Sequence, residues 1–220
     1  MPVQGEPAVT LLLWHGQTPM SVQKRYAGRS DVPLTDTGLR QAAAAAKRLA
    51  PAGIGAIVTT PLRRAVQTAE EAAAVTGVPV VTEDGFRETD FGDWEGLTFA
   101  EVRERWPAEL TAWLADPAVA PPGGESFAEV SERVTAALHR VLVGRERQRV
   151  LIVSHVTPIK MLVAAALLAP PPALYRMHLD VAALCEIDWY ADGPAVLRSF
   201  NDTAHLRTVA ADADAGTWPS

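Results

Sequence analysis

Cysteine is almost missing from this sequence: Cys185 stands alone among 220 residues. A single thiol excludes an internal disulfide framework and a thiolate metal cage built by one chain. Positive net charge is missing too. The 20 Lys and Arg face 26 Asp and Glu, a formal charge of −6, so the basic face that non-specific nucleic-acid binding needs is not expected. Acidity does not exclude an anionic small molecule, because a few converging arginines reverse the field locally. No apolar run suits a bilayer: IKMLVAAALLAPPPAL, from Ile159, is broken by prolines after about a dozen residues. The opening MPVQGEPA is short, polar and proline-bearing, unlike a secretory leader. A cytoplasmic chain without nucleic-acid or membrane partners is the expectation. Internal repeats and Gly/Ser-rich linkers are lacking as well. One domain over residues 1–220 follows, frayed at 1–8 and 209–220, with DPAVAPPGGES (116–126) as a surface loop.

What is present is a core-forming composition, 48% hydrophobic, in a clear alternation of elements. VTLLLW (9–14), IGAIVT (54–59), VPVVT (78–82) and RVLIVS (149–154) read as strands buried on both faces. Helices are expected at 35–50, capped by Thr35, and from Pro61 onward, capped by Thr60. Two capping boxes, Thr98-x-x-Glu101 and Ser126-x-x-Glu129, open helices near 98–106 and 126–145. TPIKMLVAAALLA forms another helix, and ALCEIDWY with AVLRSF closes as a hairpin around Asp192-Gly193. This order predicts an α/β fold: a three-layer sandwich, its central sheet largely parallel with helices on both faces.

In open parallel sheets ligands bind beyond the carboxyl ends of the strands. His15 follows the first strand, Arg64 lies just past the second, and His155 follows the fourth. A lone histidine after a strand is most often an ordinary turn residue; two in the same topological position point to chemistry. Taken singly, Arg63-Arg64 reads as a solvated helix face and Glu88 as a partner for Arg87. His139, His178 and His205 show no partner spacing and read as structural. His15, His155, Glu88 and Asp90 have zinc-ligand chemistry, but no clustered spacing, and neighbouring arginines disfavour a cation. No metal is expected.

The constellation resembles the histidine phosphatase superfamily, the phosphoglycerate mutase-like enzymes. WHGQT (14–18) matches an Arg-His-Gly signature, TPLRRA a second-arginine stretch at Arg64, RETDFGDWEG an acid at Glu88, and IVSHVTPIK a second histidine at His155. QKRYAGRSDVPLTDTG, PPGGESFAEV and NDTAHL are similar to the family too, so the likeness runs from Val9 to His205. It is nearest to α-ribazole phosphatase and to the acid phosphatase domain joined to ribonuclease H in some actinobacterial proteins. The resemblance implies a cofactor-free phosphomonoesterase acting on a small-molecule phosphate ester through a phosphohistidine on His15. Glu88 would act as acid and then base, and a cationic His155 and Arg64 would stabilise the phosphoryl oxygens. Gln17, Thr18, Ser21, Arg25, Gly28 and Val156 would join Trp14 in lining the substrate pocket or its mouth.

Two positions depart from the pattern. Trp14 stands where the family has arginine, replacing a charged fork with one neutral N–H. Val156 stands where many relatives carry glycine. A phosphoglycerate mutase is a second reading, opposed by the acidic PAELTAWLADPAVAPPGGES where mutases carry a basic, tyrosine-containing insertion. A third, suggested by Trp14, is a phosphatase-like fold used for binding or redirected chemistry. Selectivity is expected in the loops around 19–30 and 107–125, with Trp94, Trp106 and Trp113 as stacking or core residues.

Overall fold

A computed structural model describes residues 5–209. Strands β1 (Ala8–Trp14), β2 (Ile54–Thr59), β3 (Val80–Thr82), β4 (Arg149–Ser154), β5 (Leu184–Trp189) and β6 (Ala195–Asp202) form one sheet, in the order β3-β2-β4-β1-β5-β6. The first four run parallel; β5 pairs antiparallel with β1 and with β6. The expected hairpin is there, its turn closed by Gly193 N–H donating to Tyr190 O at 3.0 Å.

The central strands β1, β2 and β4 are mostly apolar because both faces are covered, and neighbouring residues enter different cores. Leu12, Val150 and Ile152 pack with helices α6 (Phe127–Leu142) and α7 (Val156–Ala166). Leu11, Leu13, Leu151 and Val153 pack with α2 (Asp36–Leu49) and α3 (Arg63–Thr76). A three-layer α/β architecture results. On the α2/α3 side the helices present alanine, which lets them lie close to the sheet.

Register does the positioning. β1 pairs with β4 so that Trp14 lies opposite Ser154. The next residues, His15 and His155, therefore leave the sheet side by side. β2 pairs with β4 so that Thr59 lies opposite Val153, which brings Thr60 to the same edge.

Several local expectations change. Ala8 belongs to β1 and Pro7 O accepts from Arg147 N–H, so order begins before Val9; the remainder of both expected frayed ends, 1–4 and 210–220, lies outside the described residues. Thr60 does not cap α3. That helix starts at Arg63, whose N–H donates to the Asp31 carboxylate at 2.7 Å. Both expected capping boxes form, at α4 (Phe99–Arg105) and α6. A third, Thr18 with Ser21, opens the short α1 (Pro19–Val22). Within the expected loop 107–125, residues Pro107–Ala115 form α5. It buries only Leu110 and Trp113 while Leu114 and its alanines are exposed, so its apolar residues mark no single face.

Candidate functional site

At the carboxyl edge of the sheet, four polar side chains are almost wholly buried: His15, Arg64, Glu88 and His155. The His15 and His155 ring centres lie 5.1 Å apart. His15 Nδ1 is 2.8 Å from the carbonyl of Gly16, an acceptor only, so Nδ1 carries the proton and Nε2 keeps its lone pair. Two donors point at that lone pair, Arg64 Nε at 3.1 Å and Trp14 Nε1 at 3.2 Å. Burial, then the nearby Arg64 cation, hold the His15 pKa well below 6.5, against the opposing Gly16 bond. A neutral imidazole with a directed Nε2 is a nucleophile.

Arg64 is held from the opposite side by loop carbonyls. Its Nη1 donates to Ser30 O at 2.6 Å, and Nη2 to Ala27 O at 2.8 Å and Gly28 O at 3.0 Å. The loop is fixed in turn by Glu95, which accepts from Gly28 N–H and Ser30 N–H, each at 2.9 Å. Gly28 is required there: a Cβ would lie 2.1 Å from the carbonyl oxygen of Thr89.

Glu88 does not pair with Arg87, whose guanidinium reaches Asp84 at 3.1 Å. Its carboxyl accepts from Thr89 N–H at 2.8 Å and from Thr157 N–H, in the first turn of α7, at 3.4 Å. Burial raises its pKa above the ordinary 4.5; those bonds and Arg64 oppose the shift without cancelling it. A raised carboxyl pKa suits a general acid. Arg133 of α6 anchors this segment, donating to the carbonyls of Gly85, Arg87 and Glu88 while making a bidentate pair with Glu125. Lys160, also almost wholly buried, has its pKa lowered by burial, and Glu88 opposes that shift.

His155 is buried without a carboxylate partner among the described residues. Burial, then Arg64, His15 and Arg133, hold its pKa well below 6.5. Its Nε2 is 2.9 Å from the Thr60 hydroxyl, and its buried Nδ1 has no hydrogen-bond partner.

The outer residues divide. Gln17 is buried, with its Oε1 accepting from Thr35 Oγ1 at 2.8 Å, and Val156 is buried at the start of α7. Thr18 and Ser21 bond each other in their capping box. Arg25 donates to Gly96 O at 2.7 Å and to Glu101 at 3.0 Å, which ties it to the 96–101 segment. Asp90 pairs with Arg29. Trp94 and Trp113 are core residues, 0% and 1% exposed, and Trp106 packs against the same core. Sequence reasoning missed Thr60, Glu95 and Arg133. Glu95 lies inside the RETDFGDWEG likeness, which flagged its segment; Thr60 was masked by its resemblance to a cap, and Arg133 carried no signal.

Among the described residues, no group of three His, Cys, Asp or Glu gathers in metal-binding geometry, and no helix is long and apolar enough to cross a membrane.

The chain belongs to the histidine phosphatase superfamily, branch 1, whose sequence profile matches residues 10–203. It is 50% identical over 204 residues to the bifunctional protein Rv2228c of Mycobacterium tuberculosis, covering 92% of this chain and 56% of that protein. The chain thus spans about half the length of that curated relative. It is 35% identical over 209 residues to the probable phosphoglycerate mutase GpmB of Proteus mirabilis, covering 91% and 96% of the two chains. Among solved structures, the native mycobacterial glucosyl-3-phosphoglycerate phosphatase Rv2419c superposes with a TM-score of 0.81 at 30% identity, covering 89% and 99%.

Proposed function

We propose that this chain is a phosphomonoesterase that hydrolyses a small phosphorylated metabolite through a phosphohistidine on His15. One observation carries the reading: the Nδ1 bond to Gly16 leaves His15 Nε2 unprotonated beside Arg64. In the first step the Nε2 lone pair forms a bond to phosphorus and the ester P–O bond breaks. Glu88 gives its proton to the departing oxygen, releasing the alcohol. In the second, the Glu88 carboxylate takes a proton from water, the water oxygen bonds to phosphorus, and the P–N bond breaks. Phosphate leaves and both side chains return to their starting states. Charge on the equatorial oxygens meets Arg64, His155 and the N–H groups at the start of α7.

Trp14 favours a second reading, in which the pocket has turned toward weaker or different chemistry. Its indole offers one neutral N–H where a guanidinium would offer two charged ones. A phosphoglycerate mutase has less support, because 107–126 is an acidic helix and loop without a basic, tyrosine-containing insertion.

A panel of phosphomonoesters assayed against the native chain and His15→Ala tests the proposal. Turnover that survives chelation and disappears in His15→Ala is expected. Turnover retained in His15→Ala, or lost to a chelator and restored by zinc or magnesium, contradicts it. Interconversion of phosphoglycerates faster than their hydrolysis favours the mutase, and phosphate binding without turnover favours the second reading.

A further inference from the structure

Around His15 the buried donors outnumber the buried cations. Arg64 of α3 is the guanidinium that bonds the nucleophile, and three loop carbonyls already hold its Nη1 and Nη2. Trp14 adds an N–H to the same atom and no charge. The remaining charges nearby have partners of their own. Arg133 of α6 answers Glu125, Glu88 acts on Lys160 of α7, and Glu88, Glu95 and Asp31 act on Arg64. A phosphate ester dianion would bring two negative charges against one directly contacting cation in a buried site, where unmatched charge is strongly penalised.

His155 is built to supply the balance. Its ring centre is 5.1 Å from that of His15, and its Nδ1 is buried without a partner. Its Nε2 meets the Thr60 hydroxyl, which rotates to donate or to accept. The ring therefore gains a proton without losing that bond. Burial and the surrounding cations keep it neutral while the pocket is free; an arriving anion reverses that preference.

Resting on the phosphomonoesterase reading, we propose that the ester is taken up together with one proton, shared between a phosphoryl oxygen and His155, and that Trp14 makes this proton necessary. The substrate class is then a monoester in its singly charged form. His15 Nε2 bonds to phosphorus, the P–O bond breaks, and the Glu88 proton leaves with the alcohol. The additional proton stays with the phosphoryl group and His155 until phosphate departs.

Two measurements on the full chain test this. Calorimetry with inorganic phosphate, at about pH 8 in buffers of different ionisation enthalpy, should show about one proton taken up per phosphate bound, since phosphate groups titrate with a second pKa of about 6–7 and are dianionic there. Trp14→Phe, which adds no charge, should keep that uptake, and Trp14→Arg should abolish most of it. For a series of aryl phosphates, kcat/KM should fall tenfold per pH unit above a limb that moves one for one with the ester's second pKa. In Glu88→Gln, where the proposed acid no longer titrates, that limb should persist. Phosphate binding without proton uptake overturns the proposal, as does undiminished uptake in a folded Trp14→Arg. A limb fixed across the ester series overturns the proposal alone. Turnover of no ester overturns it together with the reading beneath it.

Discussion

Trp14 and His15 form one unit: the indole N–H and the Arg64 Nε–H share the lone pair that would attack phosphorus. On the proposed reading, a guanidinium placed at position 14 would add charge-assisted bonds to the phosphoryl group. Trp14→Arg is expected to raise kcat/KM for phosphomonoesters at least tenfold, about 1.4 kcal/mol of barrier. Unchanged turnover across an ester panel in a folded variant would show that Trp14 does not occupy a phosphate-ligand position. Glu88 behaves oppositely to His15 in titration. Burial lowers the histidine pKa and raises that of the carboxyl, so both shifts enlarge the fraction with neutral imidazole and protonated acid together. The pH profile of kcat/KM should therefore have an acid limb below the ordinary histidine value and a Glu88 limb above the ordinary carboxyl value. Glu88→Gln should remove the Glu88 limb and lower kcat by about 10²- to 10⁴-fold. An unchanged profile would remove Glu88 from proton transfer.

At the scale of elements, two histidines meet because β1 and β4 pair in the register that sets Trp14 against Ser154. That meeting was legible: apolar runs ending in His15 and His155 already placed both at one sheet edge. What was not legible is what holds the polar residues still. Thr60 before Pro61 has the local signature of a helix cap, yet the hydroxyl bonds His155 and the helix starts three residues later. A tertiary partner outcompeted the local one. The resemblance placed Arg25 at the pocket or its mouth, and only the fold shows its guanidinium bonding Gly96 and Glu101. Arg133 is a helix residue like any other until the 85–88 segment is laid across it. Arg133→Met should free three carbonyls and leave Glu125 unpaired, costing about 1–3 kcal/mol. Thermal unfolding should register that loss, and kcat should fall more than KM rises, because the segment carries the proposed acid and not the phosphate donors. A stable variant with native kcat would show that Glu88 is positioned without this anchor.

For the whole molecule, the same buried groups make stability depend on pH. His15 and His155 are depressed below 6.5 in the folded chain. Their contribution is fully present above the unfolded value and is lost as pH falls toward the folded pKa, because the unfolded chain then binds more protons. Glu88 is raised above 4.5, so its contribution is present below that value and is lost as pH rises through the folded pKa. Melting temperature should fall between about pH 7 and 5 through the histidines, and His155→Gln should flatten that slope. Glu88→Gln should melt higher than the native chain at neutral pH and lose that advantage near pH 4, below which the unfolded carboxyl is protonated as well. A melting temperature independent of pH across this range would mean that the buried site is not neutral as described. The sheet, its helices and the meeting of His15, Arg64 and His155 follow from strand patterns, whereas Glu88 was placed only by the family resemblance. The depth of burial that sets their charge follows only from the assembled fold.

If His15 Nε2 takes the phosphoryl group, the phosphohistidine can be trapped. The native chain and Glu88→Gln are mixed with an aryl phosphate whose leaving group needs no acid, denatured in alkali within the first turnover, and mapped by peptide mass spectrometry. A base-stable, acid-labile phosphate on His15 is expected, accumulating in Glu88→Gln because no base remains to activate water, and absent from His15→Ala. Ester turnover with no phosphate on His15, or with phosphate on another residue, would contradict it.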